Sequence, residues 1–405
     1  MSSSGKGRVY YGWIVVLASL VIMVSIFGIR YSYGVFFKSL EQDFGWSRAL
    51  TSGVFSTYML LCCLFAICGG WALDRYGPRM VLIIMGLFTS SSLLLSSQAD
   101  SLWKLFLSYS LLLAIGTGPT YAVIMATLSR WFIKRRGTAM AIVGAGIGLG
   151  MLIMNPVAAY LILNFGWQSA YFALGLIALV TLVPSAFLLK KAPDLKETSA
   201  AKEGAFIGFE RESEDFSLLQ ALRRKNFWLI FFIWFLYSFC IHLVLTHLVP
   251  CAIDLAIPMI RAASLLTLLG GSNMIGRLVM GRISDSVDRK WTAIFCAFVM
   301  AAAMWLLTRA SHFQMLQFFA VIYGFSLGGF DPPVTALIGE AFGLRHIGVI
   351  MGVLVTAWSA GAAAGPTLGG YVFDVTGNYY LAFITGIVSM LMLPPLCLSI
   401  TLPKK

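Results

Sequence analysis

The feature that most constrains this chain is the length of its apolar runs. YYGWIVVLASLVIMVSIFGI (10–29), MVLIIMGLFTSSSLLLSS (80–97) and FWLIFFIWFLYSFCIHLVLTHLV (227–249) each approach the ~20 residues that carry a helix across a bilayer. Within lipid every backbone N–H and C=O must be satisfied inside the segment, and runs of this kind do so as helices. Only 11% of the residues are charged, against about 25% in an ordinary soluble domain. The chain therefore reads as an all-α polytopic membrane protein.

Apolar runs and polar breaks together give about twelve spans, over 10–36, 49–72, 79–98, 103–130, 137–163, 167–190, 226–249, 260–282, 291–309, 312–341, 346–372 and 379–402. One long polar stretch, 190–226, interrupts them. The expected organisation is a six-helix half over 1–190, a cytoplasmic linker over 191–225 and a second six-helix half over 226–405. The opening residues run into span 1 without a small-residue cleavage pattern, so the first helix is expected to act as its own insertion signal.

The formal charge of +12 raises the question of nucleic acid, and its distribution answers it. With both termini and the linker in the cytoplasm, most basic residues fall on that side. They include Lys6, Arg8, Arg75, Arg79, Arg130, Lys134, Arg135, Arg136, Arg223, Arg224, Lys225, Arg289 and Lys290. That asymmetry is the positive-inside rule. The charge sets topology, and no nucleic-acid partner is expected. The seven cysteines show no metal-ligand spacing and read as free, packed thiols.

An internal repeat relates the two halves. GWALDRYGPR (70–79) and GRISDSVDRK (281–290) match at one offset, which pairs Gly70 with Gly281, Asp74 with Asp285 and Arg79 with Lys290. The same offset pairs Gly137 with Gly348 and Gly166 with Gly377. Parallel repeats of this kind place a substrate between the halves near the midplane and alternate access by rocking.

These two loops resemble the signature of the major facilitator superfamily. The resemblance implies its fold, twelve helices in two six-helix repeats, and makes Asp74, Arg75, Arg79 and Asp285 gate residues. Within that superfamily, WFIKRRGTAMAIVGAGIG (131–148), VFFKSLEQDF (35–44) and the Asn273-x-x-x-Arg277 spacing in span 8 resemble monocarboxylate transporters. The chain looks like a bacterial member of that family, related to oxalate/formate exchangers. It departs from the pattern in two places. Asn273 stands where eukaryotic members carry an aspartate, and the lysine of their span 1 aligns with Arg30 or Tyr31.

Arg277 and Asn273 share one helix face. A buried guanidinium grips a carboxylate through two parallel hydrogen bonds, although Arg277 lies close enough to the span end to snorkel instead. Asp331, deep in span 10, must face a cavity, pair with a cation such as Arg30 or Arg277, or take up a proton. The repeat sets it opposite Tyr121, which offers a hydroxyl to a carboxylate or simply packs. His247, near the outer end of span 7, is a proton-carrying candidate; its neighbour His242 is a weaker one. Trp358 and Tyr31 complete the expected substrate contacts. GAGIGLG (144–150) and SAGAAAGPTLGG (359–370) mimic nucleotide loops, but both lie inside spans, where small residues let helices pack.

The expectation is a secondary active carrier, not an enzyme, with no cofactor and no metal. It moves a small organic monoanion such as lactate or pyruvate together with H+ across the cell inner membrane, as a monomer. Arg277, Asn273, Tyr121, Tyr31 and Trp358 hold the substrate, and Asp331, His247 and Arg30 couple the proton. The alternative is an exchanger of oxalate/formate type or of dicarboxylates, with drug efflux behind it.

Overall fold

A computed structural model of the chain describes residues 11–132, 136–190, 216, 218–342 and 347–401. The side chains at 74, 136–138, 285, 339 and 347–349 lie outside that description. Among the described residues, eleven stretches are long and apolar enough to cross a membrane. In chain order they are α1 Tyr11–Phe44, α2 Arg48–Leu73, α3 Arg75–Ser96, α4 Leu102–Trp131, the stretch Ala139–Leu188, α7 Lys225–Asp254, α8 Met259–Ser284, α9 Arg289–Thr308, α10 Phe313–Phe342, α11 Ile350–Thr376 and α12 Tyr380–Leu398.

Ala139–Leu188 holds 50 residues, about 75 Å of helix and far more than one ~30 Å hydrocarbon core. It breaks at Gly166, whose φ is 80°, and its two arms are α5 and α6. The count is therefore twelve passes. Gly377, the repeat partner of Gly166, turns α11 towards α12 with φ 71°. Both sit in the left-handed region that glycine enters without steric cost, so the sequence repeat is also a repeat of backbone geometry.

The surface inverts the soluble pattern. Leu17, Leu64, Ile67, Val180 and Phe318 are exposed, while Ser19, Thr120, Asn155, His242 and His247 are buried. A bilayer is the solvent that fits such a surface. The first pass outruns its hydropathy and continues to Phe44. Its last turns carry Lys38 and Glu41, an ion pair at 2.9 Å, and Asp43, which accepts from the Trp167 indole.

The passes alternate in direction, so the molecule has two faces. Arg48 opens α2 and meets Asp254, the end of α7, on what we call the far face. Tyr11, Leu188, Asn226 and Thr401 lie at the opposite, near face, where Tyr11 donates to Leu188 and Asn226 to Thr401. The first six passes meet the last six partly through α5 and α8. There a Cβ on Gly270 would stand 2.6 Å from that of Met151, and one on Gly148 equally close to the Gly270 carbonyl. Small residues at this crossing bring the two backbones together.

Candidate functional site

Arg277 and Asp331 face each other across α8 and α10, with Nη2 2.9 Å from Oδ2. Backbone contact sets this distance. A Cβ on Gly276 would collide with the Phe325 carbonyl, and one on Gly328 with the Asn273 carbonyl, so α8 and α10 run closer than side chains allow. The two side chains are 20% and 25% exposed at mid-pass. Tyr121 of α4 is 45% exposed, although it lies within the field of both charges. A water-accessible space therefore opens between the first six and last six passes. Arg277 also reaches α5, where its Nη1 is 3.8 Å from where a Gly144 Cβ would lie.

Arg30 of α1 is held differently. Its Nε donates to the Tyr58 hydroxyl at 2.8 Å and Nη2 to the Cys62 thiol at 3.6 Å. The Tyr58 hydroxyl in turn meets Thr117 of α4 at 2.7 Å. The guanidinium lies over the Phe27 and Tyr58 rings, 5.0 and 5.5 Å from their centroids. Among the described residues no carboxylate comes within ion-pair distance of it. A mid-membrane arginine costs at least ~2.5–3.5 kcal/mol, and two ring contacts at about 0.5–2 kcal/mol each hold it without neutralising it. The result is a half-buried cation with no carboxylate partner among the described residues.

Aromatic side chains join the two arginine sites. Tyr31 lies within the field of Arg30, Arg277 and Asp331 together. Phe27 touches both Tyr31 and Tyr121, with ring centroids 5.9 and 6.5 Å apart. His242 stands 6.1 Å from Tyr31 and 5.8 Å from Trp358. Asn273 is buried, and its side-chain amide makes no hydrogen bond among the described residues. The structure thus brings Arg277, Asp331, Tyr121, Tyr31, Arg30 and Trp358 to one region. It also adds His242, which spacing along the helix had ranked below His247.

His247 sits elsewhere, in a latch on the far face. Arg48, only 2% exposed, pairs with Asp254 through Nη1 at 2.6 Å and Nη2 at 2.9 Å, and with Glu41 through Nε at 3.0 Å. The Asp374 carboxylate accepts from the backbone N–H groups of Arg48 and Ala49 at 2.9 and 2.8 Å, capping α2 from the end of α11. Arg48 also donates to the Tyr379 hydroxyl at 2.7 Å. That hydroxyl is then free to donate to His247 Nδ1 at 3.1 Å, while Nε2 donates to the Pro366 carbonyl at 2.8 Å. Both imidazole nitrogens are occupied. Every acid in this latch except Glu41 comes from the last six passes, and the arginine comes from the first six.

This architecture has known counterparts. The family model described as "Major Facilitator Superfamily" matches residues 18–287 and again 252–405. The chain belongs to the major facilitator superfamily. Among curated relatives, this transporter is 28% identical over 390 residues to rat (Rattus norvegicus) monocarboxylate transporter 13, covering 92% of this chain and 85% of the relative. It is 26% identical over 392 residues to human (Homo sapiens) monocarboxylate transporter 11, covering 92% and 79%. Among solved structures, a bacterial homologue of the human lysosomal transporter Spinster, inward-facing and occupied, superposes with a TM-score of 0.79 at 13% identity over 97% of each chain. A D-xylose-proton symporter gives 0.72 at 16%, over 95% of this chain and 97% of the other.

The facilitator loop signature takes its own place in the transporter. Gly77, near the end of GWALDRYGPR, has φ 78° and kinks the chain within the first turn of α3. Arg75 lies over the Trp71 and Tyr76 rings at 5.5 and 5.6 Å, and Arg79 over Phe187 at 4.7 Å. Both contacts stay within the first six passes. The side chains of Asp74 and Asp285 lie outside the described residues. Arg48, Asp254 and Asp374 escaped the sequence reading because each stands at a span end, where a charge normally needs only water.

Proposed function

We propose that this chain is a secondary active transporter of small monocarboxylates, lactate and pyruvate among them, coupled to protons. One observation carries the reading: Arg30 is a mid-span cation with no acid partner among the described residues, beside an aromatic-lined, water-accessible space. A carboxylate accepts charge-assisted hydrogen bonds from such a guanidinium. The Arg277–Asp331 pair neutralises itself at 2.9 Å, so the site keeps a single net positive charge. That suits a monoanion better than a dicarboxylate or oxalate. A cationic drug suits it least.

Tyr31 and Tyr121 orient the carboxylate, while Phe27 and Trp358 line its carbon end. Arg277, neutralised by Asp331, sets the field of the site and contacts substrate only when that pair loosens. The halves 1–190 and 226–405, linked by 191–225, rock about the α5–α8 crossing. The near face, with Arg75, Arg79, Arg289 and Lys290, is cytoplasmic by the positive-inside rule, and the membrane is the cell inner membrane. The far-face latch is then the outer gate, shut here. A single chain suffices.

Purified protein in liposomes should accumulate labelled L-lactate when the opposite side is alkaline, and not oxalate. Uptake indifferent to the pH gradient, or oxalate preferred over lactate, counts against the reading.

A further inference from the structure

We propose that His242 of α7 is the seat of the transported proton, at Nε2, opposite the carboxylate that Arg30 holds. This rests on the monocarboxylate reading above and names the group that couples it to H+.

The hydrogen bonds around His242 settle its neutral form. Ser238 Oγ donates to the Trp358 carbonyl at 2.6 Å. It therefore has no proton left for His242 Nδ1, 3.2 Å away. The Ser238 carbonyl, 2.9 Å from Nδ1, can only accept. Nδ1 must carry the hydrogen, and Nε2 carries a lone pair. That nitrogen is fully buried and has no hydrogen-bond partner among the described residues, a costly state for a polar atom. Nδ1 is tied back to α7 itself, so Nε2, across the ring, points away from its own helix. The rings that meet His242 are Tyr31 of α1, Phe55 of α2 and Trp358 of α11, with centroids 6.1, 6.1 and 5.8 Å away.

The titratable and charged groups that face His242 from the packed elements are few. From α1 come Arg30, within electrostatic reach of the imidazole, and Tyr31. From α2 come Tyr58 and Cys62, both engaged with Arg30. From α8 and α10 comes the Arg277–Asp331 pair, whose field reaches Tyr31. From α11 comes the Trp358 indole, while Asp374 of that helix lies in the far-face latch. In the empty site a proton on Nε2 would face the unpaired Arg30, and like charges at mid-membrane repel strongly. A substrate carboxylate changes this. One of its oxygens takes the Arg30 guanidinium, and the other accepts from the new Nε2–H. Proton and carboxylate thus load together, each raising the affinity for the other by the same factor.

The charge balance closes. The empty site holds Arg30 as a cation and His242 neutral. The loaded site holds both as cations with one carboxylate between them, the same net charge. The proton enters from water with the substrate and leaves with it, so the loaded passage is electroneutral and independent of membrane potential. Asp331 suits this role less well. It is already the counter-ion of Arg277, and protonating it would leave that guanidinium buried and unpaired.

The experiment is L-lactate binding to the purified full-length protein from pH 5.5 to 8.5, with proton uptake recorded in weak buffer. The wild type should take up about one proton per lactate. Its affinity should fall about tenfold per pH unit in the alkaline range. His242→Gln, which keeps an acceptor near Nε2 but cannot be protonated there, should bind lactate with no pH dependence and no proton uptake. Proton-linked binding that survives in His242→Gln overturns the proposal. If that variant does not fold, Asp331→Asn and His247→Gln still decide, because loss of proton uptake with lactate binding retained in either one overturns it. A wild type that binds no lactate at any pH removes the monocarboxylate reading and this proposal with it. A wild type that binds lactate without taking up a proton removes this proposal alone.

Discussion

Arg48 of α2 and Asp254 of α7 join the two sets of six passes through a forked pair, Nη1 to Oδ2 at 2.6 Å and Nη2 to Oδ1 at 2.9 Å. The guanidinium is nearly inaccessible to water, and Phe373 stacks on it at 3.5 Å. Removing one partner of a buried pair of this quality costs about 3–5 kcal/mol, because the other charge is left behind. The far face is therefore held shut by this contact, which the proposed rocking would have to break.

Arg48→Ala should shift the population towards a state open at the far face. Spin labels at the exposed positions Gln42 and Asn378 report this directly, as a longer inter-label distance in the variant. An unchanged distance distribution means the latch does not set the conformation.

The Arg277–Asp331 pair predicts a double-mutant signature. Asp331→Asn alone leaves Arg277 unpaired in a low-dielectric site and should destabilise by about 3–5 kcal/mol. Arg277→Gln together with Asp331→Asn removes both charges and should recover most of that loss. Thermal unfolding in detergent measures the coupling, and additive losses would mean the two groups do not depend on each other.

Helix approach is a separate matter from charge. Gly276→Ala puts a methyl group against the Phe325 carbonyl and must push α8 from α10 to fit. Overpacking of this kind costs about 1–3 kcal/mol. The thermal midpoint should fall, whereas Gly70→Ala, with open space around its Cβ position, should leave it nearly unchanged.

How much of this was legible beforehand varies with the physics of each residue. The passes and the paired turns at Gly166 and Gly377 follow from apolar length and from an internal repeat, both one-dimensional signals. That Asp331 would face a cavity, pair with Arg30 or Arg277, or carry a proton was also readable, because a lone carboxylate in hydrocarbon is costly. Which of the two arginines it would take was not readable, since the choice depends on how closely α8 and α10 approach at Gly276 and Gly328. The pairing moves attention from Arg277 to Arg30 as the cation left for a ligand. His242 and His247 lie on the same apolar helix α7 with no local pattern to tell them apart, and three-dimensional packing sends one to the centre and the other to the latch. Arg48, Asp254 and Asp374 lie far apart in the chain at span ends, where nothing in the local pattern tells a gate from a wetted loop.

The central claim is that Arg30 holds the substrate carboxylate, and counterflow of labelled L-lactate at equal pH on both sides tests it most directly. Losing charge-assisted hydrogen bonds worth about 1.5–3 kcal/mol should weaken lactate binding by about 10–100-fold in Arg30→Gln, with partial recovery in Arg30→Lys. Counterflow in Arg30→Gln with the same half-saturation as the wild type would contradict the account.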